Sequence, residues 1–319
     1  MKVTEYFEKA KGKSLISFEI LPPMKGGGIE SIFKTLDPLM EFKPPFIDVT
    51  YHREEYVYKE NKNGFYEKAS IRKRPGTVGI CTAIMHRYGV EAVPHLLCGG
   101  FTKEETEDVL IDLHFLGIKN VLALRGDARK FETTFVPTEG GHSLSIDLVR
   151  QIKNMNQGQY LDDNIENGQK TNFCIGIAGY PEKHFEAPNH DIDIEFTKEK
   201  IDAGGEYIVT QMFFDNSAFL KYREKCKQSG INVPIVPGIK PLTKFYQLSS
   251  IPRHFFVNLP SDLSKEILKV KDNKKKLKEV GIEWAIHQCQ ELKAAGVPCI
   301  HFYTMGDSIT VRKIVEAIY

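Results

Sequence analysis

The sequence predicts an α/β protein built as a closed (β/α)8 barrel, the TIM-barrel fold, in a single domain over residues 1–319. Short apolar, β-branched runs alternate with longer stretches of helical periodicity from end to end, and eight such runs can be counted. Glycines follow several helical stretches, as is typical where a helix ends before a return strand. A barrel of this kind takes about 250 residues. The chain is therefore long enough for one barrel.

The elements follow one another in a regular order. The predicted strands span residues 15–21, 46–51, 92–98, 120–124, 173–178, 207–213, 234–239 and 299–303. The clearest helical patterns span residues 103–116, 143–155, 198–203, 217–229 and 274–295. A doubly wound open sheet, with one or two strands overcounted, is the main alternative. Neither a GxGxxG nor a GxxxxGK[ST] phosphate loop supports that alternative.

Three polar stretches depart from the alternation. Residues 54–74 are rich in Lys, Glu and Tyr and indicate an excursion after the second strand. Residues 156–171 are rich in Asn, Gln, Asp and Gly and indicate a loop that faces away from the C-terminal end of the next strand. The basic run 269–278 lacks interleaved aromatic residues, which favours a solvated helix start over a binding patch.

Composition excludes several classes of protein. With 43 basic and 42 acidic residues, nothing indicates nucleic acid or an anionic membrane as a partner. The six cysteines form no CxxC pair, no HExxH motif occurs, and no carboxylate cluster suits a metal, so an organic cofactor is expected and no metal. The N-terminus lacks the apolar core of a signal peptide, and no apolar run reaches the roughly 18–20 residues of a membrane span. A reduced, cytoplasmic location is expected.

Polar residues recur where the apolar strands stop. In a barrel of this type, the C-terminal ends of the strands build the active site. A buried Glu19 paired with Lys or Arg, an Asp127 in a turn and a core His95 are the structural alternatives for single residues. Their shared position instead indicates one site, made of Glu19, Thr50, Tyr51, His52, His95, Arg125, Gly126, Asp127, Tyr180, His184, Thr210, Gln211, His301 and Tyr303.

Nine motifs in order then resemble those of methylenetetrahydrofolate reductases, across residues 15 to 305 or nearly the whole chain. They are FEILPP (18–23), VTY (49–51), PHLLC (94–98), ALRGD (123–127), YPEKH (180–184), DAG (202–204), TQMFFD (210–215), PGI (237–239) and HFYT (301–304). The resemblance implies a barrel that binds FAD without a Rossmann fingerprint, consistent with the missing GxGxxG. It also implies ping-pong chemistry. NADH or NADPH reduces the flavin, and methylenetetrahydrofolate then takes the hydride to give 5-methyltetrahydrofolate for methionine synthesis in one-carbon metabolism.

The resemblance also assigns roles to residues. Glu19 corresponds to the general acid that protonates N10 of the folate, a task that requires an environment favouring the neutral carboxyl group near neutral pH. Asp127 corresponds to a catalytic aspartate beside flavin and pterin. The flavin positions are Thr50, Tyr51, His95, Arg125, Gly126, Asp127, Ser145, Tyr180, His184, Ala187, Asp193 and Lys200; the folate positions are Asp127, Gln211, Gln247 and Tyr303.

The chain also departs from the family pattern. Phe196 stands where bacterial relatives carry a flavin-contacting Asn, and Asp307 stands where an Arg contacts the folate tail, which leaves Arg312 as a possible substitute. The loop 156–171 is longer than in relatives. The chain ends with the barrel, so we expect no regulatory domain and no inhibition by S-adenosylmethionine. A homo-oligomer is expected. Another barrel flavoprotein, such as a proline-dehydrogenase-like oxidase, and a non-catalytic folate- or flavin-binding barrel stay open as alternatives.

Overall fold

Eight parallel strands close into a barrel in the computed structural model, which describes residues 1–129 and 132–319. The strands of the barrel are β1 (Leu15–Ile20), β2 (Phe46–Val49), β5 (Glu91–Leu97), β6 (Asn120–Leu124), β7 (Cys174–Gly179), β8 (Tyr207–Met212), β9 (Ile235–Ile239) and β10 (Cys299–Tyr303). Around the barrel they lie in the order β1, β10, β9, β8, β7, β6, β5, β2, and every neighbouring pair is parallel. The predicted fold class is confirmed, and the open sheet is excluded because β1 pairs with both β2 and β10.

Helices connect the strands. They are α1 (Val3–Lys9), α2 (Glu30–Leu36), α3 (Thr77–Tyr88), α4 (Lys103–Phe115), α5 (Ser145–Asn156), α6 (His190–Asp202), α7 (Asn216–Gln228), α8 (Gln247–Phe255), α9 (Ser261–Lys269), α10 (Lys274–Ala294) and α11 (Ser308–Ile318), with a 3-10 helix at Asp37–Phe42. The prediction for α6 began eight residues too late. Asn189 caps that helix by accepting from the Ile192 amide at 2.9 Å, and the alternation of Ile192, Ile194 and Phe196 with acidic residues obscures the helical period.

Alternation along each strand divides the barrel wall into two faces. On β1, the side chains of Ile16, Phe18 and Ile20 join the large core between the strands and the helices. The intervening Ser17 and Glu19 therefore point into the barrel. Inside, a second apolar cluster fills the end near the strand N-termini, where α1 packs, and contains Val3, Phe46, Val93, Leu122, Cys174, Tyr207, Val209, Val236 and Cys299. The carboxylates and imidazoles of Glu19, Asp48, His95 and His301 lie beyond this cluster, towards the other end of the interior.

The polar stretches lie outside the barrel wall. Residues 54–74 form an antiparallel hairpin of β3 (Glu55–Glu60) and β4 (Tyr66–Ile71) after β2. The loop after α5 enters β7 from its N-terminal side, and the Leu161 amide there donates to Glu107 of α4 at 2.8 Å. The basic run begins α10, where Asn273 caps the helix and Lys274, Lys275 and Lys276 are exposed. All three predictions agree with the structure. Across the described residues, no helix is long and apolar enough to cross a membrane.

Candidate active site

Glu19 lies at the inner wall of the barrel, one residue before β1 ends. Its Oε2 lies 3.7 Å from Nε2 of His95 and 3.9 Å from Nε2 of His301. Among the described residues, no Lys or Arg nitrogen lies within 4 Å of its carboxylate, so the alternative of a structural pairing with Lys or Arg is not found. Thr304 holds the backbone beside it, because its hydroxyl donates to the Glu19 carbonyl at 2.7 Å.

Asp48 is a residue of this site that the sequence prediction missed. It is the register partner of Glu19 on β2, and its side chain is 0 % exposed. Its Oδ1 lies 3.5 Å from Nε2 of His95, and its Oδ2 lies 3.8 Å from Nδ1 of His301. Its spacing in the sequence could have indicated this position. Asp48 follows the interior Phe46 by two residues in the apolar run FIDV, and residues two apart on a strand face the same side. Two carboxylates and two imidazoles therefore share one end of the interior.

The segment after β6 carries three of the predicted residues. Asp127 is exposed, and its carbonyl accepts from Arg53 Nη2 at 2.7 Å. Gly126 has a φ of +86°, and an added Cβ would lie 3.3 Å from Leu97, so a side chain is disfavoured there. Arg125 pairs with Glu186, which brings the turn after β7 to the turn after β6.

A second group of predicted residues meets between β7 and α6. The Tyr180 ring lies 4.7 Å from the His184 ring, and the His184 amide donates to Asp193 at 3.0 Å. Burial, followed by the positive charge of Arg125, lowers the pKa of His184 to about 4, so this imidazole is neutral at pH 7. Burial also lowers the pKa of Lys200 to about 8, against the opposing charge of Asp193.

Burial further raises the pKa of Asp193, and burial with the charge of Asp127 raises the pKa of Tyr180. The Lys200 ammonium donates to the Ala178 carbonyl at 3.3 Å. The group therefore offers a neutral imidazole, a phenol and a desolvated cation beside Asp127.

The other predicted flavin residues are placed less uniformly. Thr50 donates to the Ile20 carbonyl at 3.4 Å, next to β1. The Tyr51 phenol accepts from Arg72 at 2.8 Å and so anchors the hairpin, and burial raises its pKa to about 12. Ala187 is buried and lies in the turn before α6. Ser145 opens α5, and no hydrogen bond within residues 1–129 and 132–319 links its side chain to the groups above.

The predicted folate residues lie on β8, β10 and the start of α8. The Gln211 amide oxygen accepts from the Met212 amide at 2.9 Å, and Tyr303 donates to the Thr210 carbonyl at 2.6 Å. Gln247 uses its oxygen to accept from the amides of Thr243 and Lys244, both at 2.8 Å. Since the oxygen is engaged, the Gln247 NH2 group is the part left to donate to a ligand.

The departures from the family pattern have structural explanations. Asp307 caps α11 by accepting from the Thr310 amide at 3.1 Å, and it pairs with Lys278 at 3.1 Å. Arg312 pairs with Glu41 at 2.8 Å and with Glu316 at 2.9 Å. Its guanidinium thus binds two carboxylates in the helix layer, and the suggestion that Arg312 contacts a substrate tail stays a prediction. Phe196 is 49 % exposed on α6.

A basic side chain nevertheless lies near Asp307. Lys240 follows β9 directly and is half-buried. Burial lowers its pKa, while the charge of Asp307 acts in the opposite direction. Because β9 ends at the same rim as β1, this ammonium is available to an anionic group at the site.

The residues fit an organic cofactor better than a metal. The described residues contain no group of three or more His, Cys, Asp and Glu side chains arranged to hold a metal ion. The cations of Arg125 and Lys200, at the ends of β6 and β7, suit a diphosphate, and Gly126 lets backbone approach a ligand closely. The Glu19 carboxyl group and these two cations thus share one rim of the barrel.

Comparison with known proteins agrees with this arrangement. The family model for methylenetetrahydrofolate reductase matches residues 3–319. The 5,10-methylenetetrahydrofolate reductase of Pectobacterium carotovorum is 32% identical over 298 residues, covering 93% of this chain and 87% of the relative. Methylenetetrahydrofolate reductase (NADH) 1 of Arabidopsis thaliana is 32% identical over 317 residues, covering 96% of this chain and 49% of the relative. The chain spans about half the length of the plant and yeast relatives it matches.

A solved structure matches the fold. A Clostridium thermocellum protein, described as binding two copies of 5-methyl-5,6,7,8-tetrahydrofolic acid, superimposes with a TM-score of 0.57 at 14% identity, over 98% of each chain. At that identity the likeness concerns the fold alone. The family model and the bacterial relative, in contrast, cover nearly the whole sequence. The chain belongs to the methylenetetrahydrofolate reductase family.

Proposed function

We propose that this chain reduces 5,10-methylenetetrahydrofolate to 5-methyltetrahydrofolate with NAD(P)H, through FAD, in two separate half-reactions. The observation that carries the proposal is the Glu19 carboxyl group, which faces the barrel interior between two imidazoles at 3.7 and 3.9 Å. An acid in this position has no Lys or Arg partner within 4 Å among the described residues. It is therefore available to hold and give a proton.

The reaction needs such an acid. Opening the five-membered ring of the folate requires a proton at N10 and leaves an iminium at N5 that accepts hydride. Bound FAD would supply this hydride after taking it from NAD(P)H. Glu19 gives the proton, and His95 and His301 fix the position of its carboxyl group.

The flavin would lie across the ends of β6 and β7. Arg125 and Lys200 would hold the diphosphate as charge partners. His184 would contact the cofactor as a neutral group, because burial and Arg125 lower its pKa to about 4. Asp127 would hydrogen-bond the pterin and act electrostatically on the flavin. Thr50, Tyr51, His95, Gly126, Ser145, Tyr180, Ala187 and Asp193 complete the proposed flavin set.

The folate would occupy the side of β8 and β10. Gln211, Gln247 and Tyr303 would contact it, with Gln247 donating through its NH2 group. For the carboxylates of the folate tail we propose Lys240, because it is the half-buried cation beside Asp307, where relatives place an arginine.

The broader assignments belong to the same proposal. We propose one catalytic domain over residues 1–319, a cytoplasmic location, a homo-oligomer and a product that feeds methionine synthesis. The six cysteines are all free and buried, which suits a reducing compartment. NADH is the proposed reductant, since the Arabidopsis relative is named for it.

Anaerobic stopped-flow spectroscopy of the flavin tests the two half-reactions separately. Glu19→Gln should slow reoxidation by methylenetetrahydrofolate by about 10²–10⁴-fold, while reduction by NADH continues at the normal rate. Glu206→Gln is the matched control, because Glu206 lies at the opposite end of the barrel and pairs with Lys2. If wild-type reduced flavin is not reoxidised by the folate, the proposed function is wrong.

A further inference from the structure

The two carboxylates at the end of the barrel interior are register partners. Glu19 and Asp48 are paired on neighbouring parallel strands, and both side chains point inward. His95 Nε2 lies 3.7 Å from Glu19 and 3.5 Å from Asp48. His301 also touches both, with Nε2 3.9 Å from Glu19 and Nδ1 3.8 Å from Asp48. The four groups form one cluster, which we call the Glu19–Asp48 cluster.

The burial of Asp48 requires a positive partner. Its side chain is 0 % exposed, and neither oxygen has a hydrogen-bond partner among residues 1–129 and 132–319. A buried charge is costly unless it is paired. Among the residues that the structure describes, the basic groups within 4 Å of Asp48 are the two imidazoles. Burial alone would lower the pKa of His95, but Asp48 and then Glu19 raise it. The two carboxylates therefore favour the cationic form of His95.

Ser17 is the hydrogen-bond partner of His301. Its Oγ lies 2.8 Å from His301 Nδ1, and the Cys299 thiol donates to the same Oγ at 3.4 Å. His301 therefore presents Nε2 to Glu19, at 3.9 Å.

We propose that Asp48 is a positioning residue that supplies the counter-charge to His95 and thereby leaves Glu19 free to hold its proton. This inference rests on the proposed role of Glu19. In the arrangement we propose, Asp48 is ionised, His95 is protonated, and Glu19 and His301 are neutral, so the cluster carries no net charge. Without Asp48, a protonated His95 would have Glu19 as its one carboxylate within 4 Å among the described residues, and its charge would then favour the ionised form of Glu19.

Other groups that face the cluster do not change this charge balance. Burial raises the pKa of the tyrosines and thiols well above neutrality, so they stay uncharged. Burial and Arg74 lower the pKa of His52, so it is neutral as well. The groups are Ser17 on β1, His52 after β2, Cys81 on α3, Tyr207 on β8, and Cys299 and Tyr303 on β10.

Infrared titration of the oxidised holoenzyme without folate tests the proposal apart from turnover. Side-chain ¹³C-labelled glutamate identifies carboxylic acid bands, and the band lost in Glu19→Gln belongs to Glu19. In Asp48→Asn the midpoint of that band should fall by at least one pH unit, a tenfold loss of the protonated fraction above the midpoint. Glu107→Gln, which neutralises a buried carboxylate on α4 far from the cluster, should leave it unchanged.

The pH profile of the folate half-reaction should shift by the same amount, while the profile of flavin reduction by NADH stays in place. If the infrared midpoint of Glu19 is unchanged or raised in Asp48→Asn, the proposed role of Asp48 is wrong. The role is also wrong if the folate half-reaction slows equally at every pH, since that result indicates a purely structural residue. Asp48→Ser serves as the second variant if Asp48→Asn does not fold. A shifted infrared band in a protein that never reoxidises with folate would overturn the proposed function and leave the charge coupling intact.

Discussion

Gly281 of α10 is expected to control the position of the loop between β9 and α8. A Cβ built at this residue would lie 1.6 Å from the carbonyl oxygen of Leu242 and 2.7 Å from its carbonyl carbon. Leu242 is buried, and Gln247 follows it at the start of α8. Gly281→Ala therefore cannot be accommodated by a side-chain rotation. The helix and the loop backbone must separate.

The size of the effect follows from two opposing contributions. Ordinary contact to a Cβ begins at 3.4 Å, so the Leu242 carbonyl must move by nearly 2 Å. Overpacking of this kind costs about 1–3 kcal/mol or more. Alanine stabilises a helix interior by about 1 kcal/mol relative to glycine. Because backbone and not a side chain must move, the upper end of the overpacking range applies, and the expected net loss is about 2 kcal/mol, or a Tm lower by a few degrees in a chain of this size.

Thermal denaturation with a matched glycine measures this loss. Gly79 lies inside α3 with nothing within 4 Å of an added Cβ, so Gly79→Ala should raise the Tm slightly. Gly281→Ala should also raise the KM for methylenetetrahydrofolate and leave the KM for NADH alone, because the displaced loop carries Gln247. If both alanine variants are equally stabilised, the close approach of Leu242 to α10 is not real.

Three further outcomes are expected. Because the pKa of Lys200 is about 8 without ligand, FAD binding must take up a proton above pH 8, so affinity should fall up to tenfold per pH unit there. Fluorescence titration measures FAD affinity as a function of pH. If affinity still falls above pH 8 in Lys200→Met, this lysine is not the group that takes up the proton. Asp307→Ala should lower the free energy of unfolding by about 1 kcal/mol, through the lost cap of α11, and denaturant titration checks it. An unchanged midpoint would contradict that capping role. Lys240→Met should raise the KM for folate, whereas Arg312→Met, which breaks only pairs with Glu41 and Glu316, should not. Steady-state kinetics distinguish them, and the reverse result would move the tail site to α11.

Much of the fold could be predicted because its signals are local. A parallel strand buried on both faces is a short apolar run, and the helices between strands carry caps and glycines at their ends. β6 and β10 have the predicted bounds at both ends. The start of α6 was missed although Asn189 and an acidic first turn are both signals of a helix start. Ile192, Ile194 and Phe196 alternate with acidic residues there, and this period of two obscures the helical period.

The candidate site was only partly predictable. Glu19, Asp127 and His95 were identifiable because they interrupt or end apolar runs at the rim that a barrel uses for chemistry. Asp48 was missed. Its spacing from Phe46 indicates that it faces the interior, but a single aspartate in a four-residue strand does not show which groups it meets there. Its partners come from β1, β5 and β10, and only closure of the barrel brings His95 and His301 to it.

The sequence by itself determined the eight strands, the rim on which polar residues gather and the family to which the motifs belong. Tertiary structure alone decided how those residues are paired. In the folded chain Arg312 pairs with Glu41 and Glu316, and two imidazoles lie next to the Glu19 carboxyl group. The physical reason is distance along the chain. Periodicity and capping act within a few residues, whereas the charge on a buried group depends on neighbours that the fold brings from 29 to more than 280 positions away.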